Sequence, residues 1–262
     1  MKRAIIIGIN YTLNESMKLY GCINDANHIR NMLIDAYDID PAKITMLLDN
    51  SNDAHLMPSR ENILRELKRL VAECARSDEL WFYYSGHGSL RNDANQDEID
   101  GSDSAIIPID YDESGIITDD LLLTTIKDIS CPLFLFFDSC HSGTVCDLQW
   151  SYEYRISEDD LIMRKNNEVV LSNPFIFMIS GSRDSELSYD VKQYDVHNYY
   201  GAFTHALTEC LRIRRHTVNW ITLYKDVVVY LSQEEMDQTP VLSVSSRNYL
   251  HRQIYRRSCK IQ

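Results

Sequence analysis

The chain of 262 residues has no apolar run of membrane-spanning length, no internal repeat and no low-complexity segment. Those absences leave no candidate spanning helix and no sign of a repeat array. Met1-Lys2-Arg3 followed by apolar Ala4-Ile5-Ile6-Ile7 has the outline of a secretory leader. The run is short and Asn10 soon breaks it, so a first strand is the reading. Cysteine lacks a framework: Cys22, Cys74, Cys131, Cys140, Cys146, Cys210 and Cys259 are odd in number and irregularly spaced. Such a set predicts free thiols in a reducing compartment, hence a cytoplasmic protein. Positive charge is scarce too, 26 Lys and Arg against 39 Asp and Glu, for a net charge of -13. That balance argues against general binding of nucleic acid or anionic membrane and fits a basic ligand or a bound cation. A merely soluble acidic surface gives the same sum.

What is there is enough for a substantial core. A hydrophobic fraction of 44% and a charged fraction of 25% are ordinary for a globular protein of one large α/β domain or two small ones. Residues 3–9 read as a central strand. A helix from Asn24 carries Ile29, Met32, Leu33 and Ala36 at helical spacing, and 44–48 is a short strand. The clearest helix is 59–75, with Ile63, Leu64, Leu67, Leu70, Val71 and Cys74 on one face and Ser59 as N-cap. Strand, helix, strand, helix, strand predicts right-handed crossovers and a parallel sheet.

Two strands end in reactive residues. Leu133-Phe134-Leu135-Phe136-Phe137 is an apolar run of strand length, buried on both faces by this reading, and it runs into Asp138-Ser139-Cys140. Glu79-Leu80-Trp81-Phe82-Tyr83-Tyr84-Ser85 stops at Gly86-His87-Gly88. Reactive groups in open α/β sheets lie just past the carboxyl ends of strands. If these strands are neighbours, roughly 4.8 Å apart, thiol and imidazole face each other as nucleophile and base. The alternative is a structural thiol and a core histidine.

Between and after them, 89–104 is a polar acidic loop, and 105–109 with Ile116-Ile117 suggests a hairpin, Pro108 favouring an edge. Thr118 or Asp119 caps a short helix through Ile126. The stretch 149–173 is the least core-like and reads as a surface linker. Residues 175–179 read as a strand, 201–214 and 220–231 as helices and 240–244 as the last strand.

Tyr84-Ser85-Gly86-His87-Gly88 and Asp138-Ser139-Cys140-His141-Ser142-Gly143 resemble the metacaspases, caspase-related cysteine peptidases. The likeness extends from Ala4-Ile5-Ile6-Ile7-Gly8-Ile9-Asn10-Tyr11 through Gly21-Cys22-Ile23-Asn24-Asp25 to Ser180-Gly181-Ser182-Arg183-Asp184. It implies a caspase-like α/β fold with a mostly parallel sheet flanked by helices on both faces. In that arrangement 1–148 is a large catalytic subdomain, 149–174 a surface linker and 175–262 a small subdomain completing the same sheet. The expected enzyme is a calcium-activated cysteine endopeptidase of the type I core kind, without the extension many members carry before it, and a monomer.

The resemblance also assigns roles. Cys140 is the nucleophile, His87 the base, and the backbone N–H groups of Gly88 and Cys140 form the oxyanion hole. Asp25 and Asp138, with Cys22 and Ser85 completing the walls, shape a pocket for arginine or lysine, so the expected partners are protein or peptide substrates with basic residues. Carboxylates match a guanidinium through paired hydrogen bonds, and they would repel the acidic side chain that true caspases accept. Asp25 could instead cap the helix that begins beside it. Asp103, Asp119, Asp120 and Asp147 correspond to a calcium site, since converging carboxylates call for a hard cation; solvated loop acids are the bland alternative. Arg155, Arg164 and Lys165 are candidate sites of self-processing within the expected linker.

Other arrangements fare worse. Asp93, Asn95 and Asp97 start like an EF-hand loop, but Glu98 stands where glycine is required and Ser104 where the last glutamate belongs. Cys140, His141 and Cys146 have no usual zinc spacing, and zinc would consume the nucleophile. Two rival functions remain: a non-catalytic caspase-like scaffold binding calcium or partners, and peptide ligation on the same fold.

Overall fold

Alternation along buried strands decides how this chain layers. The computed structural model describes residues 1–75, 78–92, 102–140, 145–182, 190–192, 199–236 and 238–254, with backbone alone for 91–92, 102–103 and 190–192. In chain order the strands are β1 (Lys2–Gly8), β2 (Ile44–Leu48), β3 (Glu79–Ser85), β4 (Gly88–Asn92), β5 (Ser102–Ile106), β6 (Ile117–Thr118), β7 (Leu133–Asp138) and β8 (Trp150–Arg155). They continue as β9 (Asp160–Lys165), β10 (Ile176–Ser180), β11 (Asp190–Lys192), β12 (Tyr199–Gly201), β13 (Val218–Asn219), β14 (Val241–Val244) and β15 (Gln253–Ile254). The helices are α1 (Cys22–Asp35), α2 (Arg60–Glu73), α3 (Tyr111–Ser114), α4 (Asp119–Ile126), α5 (Ala202–Ile213) and α6 (Trp220–Gln233).

Eight strands form the central sheet in the order β2-β1-β3-β7-β10-β14-β8-β9. The first five are parallel, and β14, β8 and β9 follow antiparallel. This is the mostly parallel sheet expected. One face presents Ile5, Ile7, Leu80, Phe82, Leu133 and Leu135 to Ile63, Leu67, Leu70 of α2 and Leu122, Ile126 of α4. The other presents Ile6, Trp81, Phe134, Phe136 and Phe177 to Ile29 and Leu33 of α1, Phe203 and Leu207 of α5, and Trp220 of α6. Trp220 stacks on Phe177 at 4.8 Å with the ring planes nearly parallel. Burial on both faces is why these strands read as unbroken apolar runs, each large side chain contributing about 1.5–3 kcal/mol. No helix among the described residues is long and apolar enough to cross a membrane.

Local signals act as expected at two caps. Ser59 accepts from the Asn62 N–H at 3.3 Å to start α2, and Thr118 accepts from Leu121 at 3.4 Å to start α4. The helix expected from Asn24 begins earlier, at Cys22, with Gly21 as its N-cap. The polar loop after His87 opens as β4, which pairs with β5, and β5 pairs with β6 through Ala105↔Thr118 and Ile106↔Ile117. The expected hairpin thus exists, with α3 in its connection.

The stretch 149–173 is not a linker. β8 pairs with β14 and β9 pairs with β8, so the segment supplies two strands of the central sheet. Trp150, Tyr152 and Tyr154 alternate with Ser151, Glu153 and Arg155, and Tyr152 is buried in the core. That period of two is the strand signal; the charged tip that follows it obscured it. The sheet runs through all three segments, for β7 pairs with β10 from Leu133↔Ile176 to Phe137↔Ser180.

Candidate active site

β3 and β7 are neighbours with Ser85 opposite Asp138. His87 and Cys140 each lie two residues beyond that last pair, at the same level of the same sheet edge. Both are partly exposed, while Ser85, Asp138 and Ser139 behind them are buried. The Cys140 turn is held from both sides. Gly86 N–H donates to the Asp138 carbonyl at 3.3 Å, Gly181 N–H to the Phe137 carbonyl at 2.8 Å, and Ser182 Oγ–H to the Ser139 carbonyl at 3.0 Å. A Cβ at Gly88 would lie 1.9 Å from the Cys140 carbonyl oxygen, so the two backbones proposed for the oxyanion hole touch and only glycine fits.

His87 has a fixed orientation. Its Nε2 lies 2.7 Å from the carbonyl oxygen of Met17. A carbonyl only accepts, so in the neutral ring Nε2 carries the proton and Nδ1 keeps the lone pair. The Tyr11 ring packs on the imidazole at 4.8 Å. A polarised base opposite a thiol is what acyl transfer through sulfur requires.

Two carboxylates are buried near the ends of β3 and β7. Asp25, Asp138, Cys22 and Ser85 are all buried. Asp25 does not cap α1; its Oδ2 accepts from the Gly201 N–H at 2.8 Å. Asp138 Oδ2 accepts from the Thr204 N–H at 3.0 Å and the Thr204 hydroxyl at 2.6 Å. Both carboxylates therefore sit at the N-terminus of α5, whose exposed N–H groups and dipole favour negative charge. A Cβ on Gly201 would fall 2.1 Å from Asp138 Oδ2 and 3.0 Å from Asp25 Oδ2, which shows how closely the two converge. Tyr83, bonded to Thr204 Oγ1 at 2.6 Å, has its phenol pushed well up by burial and then by the charges of Asp25 and Asp138. Sequence reasoning found the carboxylates but not Gly201, Thr204 or Tyr83, because contacts 66 or more residues away leave no local signal.

The family model described as "Metacaspase, peptidase C14 domain" matches residues 2–149. The chain belongs to the metacaspase family. It is 34% identical to Metacaspase-2 of Arabidopsis thaliana over 233 residues, 85% of this chain and 54% of that protein. With Metacaspase-1 of Saccharomyces cerevisiae it shares 41% over 154 residues, 58% of this chain and 35% of the other. It thus spans about half, or about a third, of the length of these metacaspases. Protein GSU0716 from Geobacter sulfurreducens, a solved structure, shares the fold with a TM-score of 0.64 at 21% identity, covering 95% of this chain and 96% of its own.

Of the four aspartates expected at a calcium site, the side chains of Asp119, Asp120 and Asp147 are among the described residues. Asp119 and Asp147 are buried, and both push up the pKa of the Cys146 thiol after burial itself, so both stand near that sulfur. Asp119 Oδ2 accepts from the Ser104 N–H and its Oδ1 from the Asp120 N–H at 2.9 Å. Asp147 adopts a left-handed backbone, φ 41°. Among the described residues no group of three or more histidine, cysteine or acidic side chains could hold a metal ion. The Asp103 side chain, the EF-hand-like Asp93, Asn95 and Asp97, and His141 lie outside them. Asp119 and Asp147 are two buried carboxylates, with Asp120 following Asp119 in the chain.

Arg155, Arg164 and Lys165 sit in the β8–β9 hairpin: Arg155 pairs with Asp160, Arg164 with Ser151 and Lys165 with Trp150. No disulfide joins any two of the six described cysteines, Cys22, Cys74, Cys131, Cys140, Cys146 and Cys210.

Proposed function

We propose that this metacaspase chain is a calcium-activated cysteine endopeptidase that cuts after arginine or lysine, acting in a reducing compartment such as the cytoplasm. The observation that carries the reading is the register of β3 and β7, which sends His87 and Cys140 off the sheet together. His87 Nδ1 takes the Cys140 proton as sulfur attacks the peptide carbonyl, and the oxyanion meets backbone N–H groups of Gly88 and Cys140. The imidazolium returns the proton to the leaving amine, giving an acyl-enzyme that water hydrolyses.

The arginyl or lysyl side chain enters beside Asp25 and Asp138, with Cys22 and Ser85 as walls. Each carboxylate accepts through Oδ2 from the N-terminal end of α5, which holds it in place for that role. Asp119, Asp120 and Asp147, with Asp103, would hold calcium, whose charge offsets the repulsion between neighbouring carboxylates. Self-processing at Arg155, Arg164 or Lys165 requires the hairpin to open first, since a peptidase binds extended, unpaired chain. Lys165 ends an edge strand and is the site we expect to be cut first. The substrates are proteins or peptides with basic residues, and the working unit is a monomer.

The test is cleavage of otherwise identical peptides bearing arginine, lysine or aspartate before the reporter, with calcium and with chelator. The reading predicts arginine and lysine turnover only with calcium. Equal turnover of the aspartyl peptide, or turnover untouched by chelator, would overturn the specificity or the activation respectively.

A further inference from the structure

The peptide unit of His87 is fixed by two buried phenols that take no part in the chemistry described above. Tyr11 O–H donates to the Ile107 carbonyl at 2.6 Å, while its oxygen accepts from the His87 N–H at 3.1 Å. Tyr84 O–H donates to the His87 carbonyl at 2.7 Å, and its oxygen accepts from the Ile107 N–H at 3.3 Å. Each phenol thus gives one hydrogen and receives one, and the two oxygens are 3.2 Å apart. Both polar groups of the His87 backbone and both of Ile107 are satisfied by this closed set, with Ile107 N–H also reaching the His87 carbonyl at 3.2 Å. The Tyr11 ring, on a left-handed backbone with φ 50°, additionally covers the imidazole.

The placement is specific to the base. Tyr11 follows the end of β1 and Tyr84 lies near the end of β3, whereas Ile107 follows β5, the strand that carries Asp103. Tyr11 comes from β1's end and Ile107 from the β5 end, so His87 is held by two separate parts of the fold. Two buried hydroxyls so close together are a cost unless fully partnered, and here they are partnered by the backbones of His87 and Ile107.

We propose that Tyr11 and Tyr84 are positioning residues for His87, fixing the backbone from which its imidazole reaches Cys140 while Met17 fixes the ring. The proposal rests on the reading of His87 as the base. Burial pushes both phenols up from their ordinary value, Tyr11 well up, so they remain protonated donors wherever the enzyme works. A change in pH profile on losing one therefore reports on the dyad and not on ionisation of the phenol itself.

The experiment compares Tyr11→Phe and Tyr84→Phe with the parent chain, and with Cys140→Ala and His87→Ala as references. It measures kcat and KM on an arginyl peptide, the pH dependence of alkylation of Cys140 by iodoacetamide, and thermal unfolding. We expect kcat to fall roughly 10- to 100-fold with KM within about twofold, the scale of a misplaced catalytic group. The alkylation profile should shift toward that of His87→Ala. Parent-like kcat in folded variants overturns the proposal, as does a lower kcat with an unchanged alkylation profile. Should a Phe variant not fold, Gly86→Ala replaces it: its Cβ would stand 2.7 Å from Tyr84 Oη and 3.2 Å from Tyr11 Oη, displacing both phenols without removing them. The same two outcomes decide it. Full cleavage by Cys140→Ala would instead refute the peptidase reading itself, whereas an inactive Cys140→Ala beside parent-like Phe variants refutes only the positioning role.

Discussion

His87 Nε2 and the Met17 carbonyl oxygen are 2.7 Å apart, across 70 residues of sequence. The bond selects one neutral tautomer, proton on Nε2 and lone pair on Nδ1. Nitrogen NMR of the Cys140→Ala protein, where no thiolate perturbs the ring, should show His87 with a protonated Nε2 and a pyridine-like Nδ1. The opposite tautomer would contradict the assignment of Nδ1 as base.

Thr204 holds Asp138 through its backbone N–H and its hydroxyl, and Tyr83 bonds the same hydroxyl. Thr204→Val keeps the shape and the N–H but removes the hydroxyl. Loss of a hydrogen bond to a carboxylate is worth about 1.5–3 kcal/mol. The expected result is a KM for arginyl peptide raised roughly tenfold or more with a much smaller change in kcat. An unchanged KM would mean that Asp138 does not depend on α5 for its position, or does not bind the substrate.

Calcium dependence should run through Asp147, buried next to the thiol of Cys146. Asp147→Asn keeps size and removes charge. The calcium concentration for half-maximal activity should rise about tenfold or more, and stabilisation of the fold by calcium should shrink with it. A parent-like calcium titration would exclude Asp147 from the ligand set.

Alkali should weaken the fold through its buried phenols. Burial raises Tyr11, Tyr37, Tyr83 and Tyr84 above 10.0, with Tyr84, Glu79 and the Asp25–Asp138 pair adding to the first three in turn. Below the ordinary value both folded and unfolded chains keep the proton, and the stabilisation is complete. As pH climbs past it the unfolded chain ionises first, so stability drains away toward the raised folded values. Urea midpoints should hold steady to about pH 9 and then fall. A midpoint constant to about pH 11 would contradict the burial of these hydroxyls.

Much of this was legible in the sequence because its strands are buried on both sides. Leu133-Phe134-Leu135-Phe136-Phe137 and Leu80-Trp81-Phe82-Tyr83-Tyr84 announce central strands by composition alone, and the residues that end them, Cys140 and His87, follow from where strands release the chain. β8 and β9 escaped because they lie at one end of the sheet, β9 at its edge: Tyr152 faces the core, but charged neighbours and a polar turn outweigh the alternation. The Met17 carbonyl could not be found at all, since a backbone acceptor has no identity in sequence. Gly201 and Thr204 are comparably silent. Their role depends on α5 returning to the end of β7, a matter of topology and not of local pattern.

The most direct trial is Cys140→Ala. With calcium present, the parent chain should release the reporter from an arginyl peptide and take up an arginyl chloromethyl ketone at Cys140, and the folded variant should do neither. Turnover by the variant at the parent's rate would place the chemistry elsewhere and contradict the account.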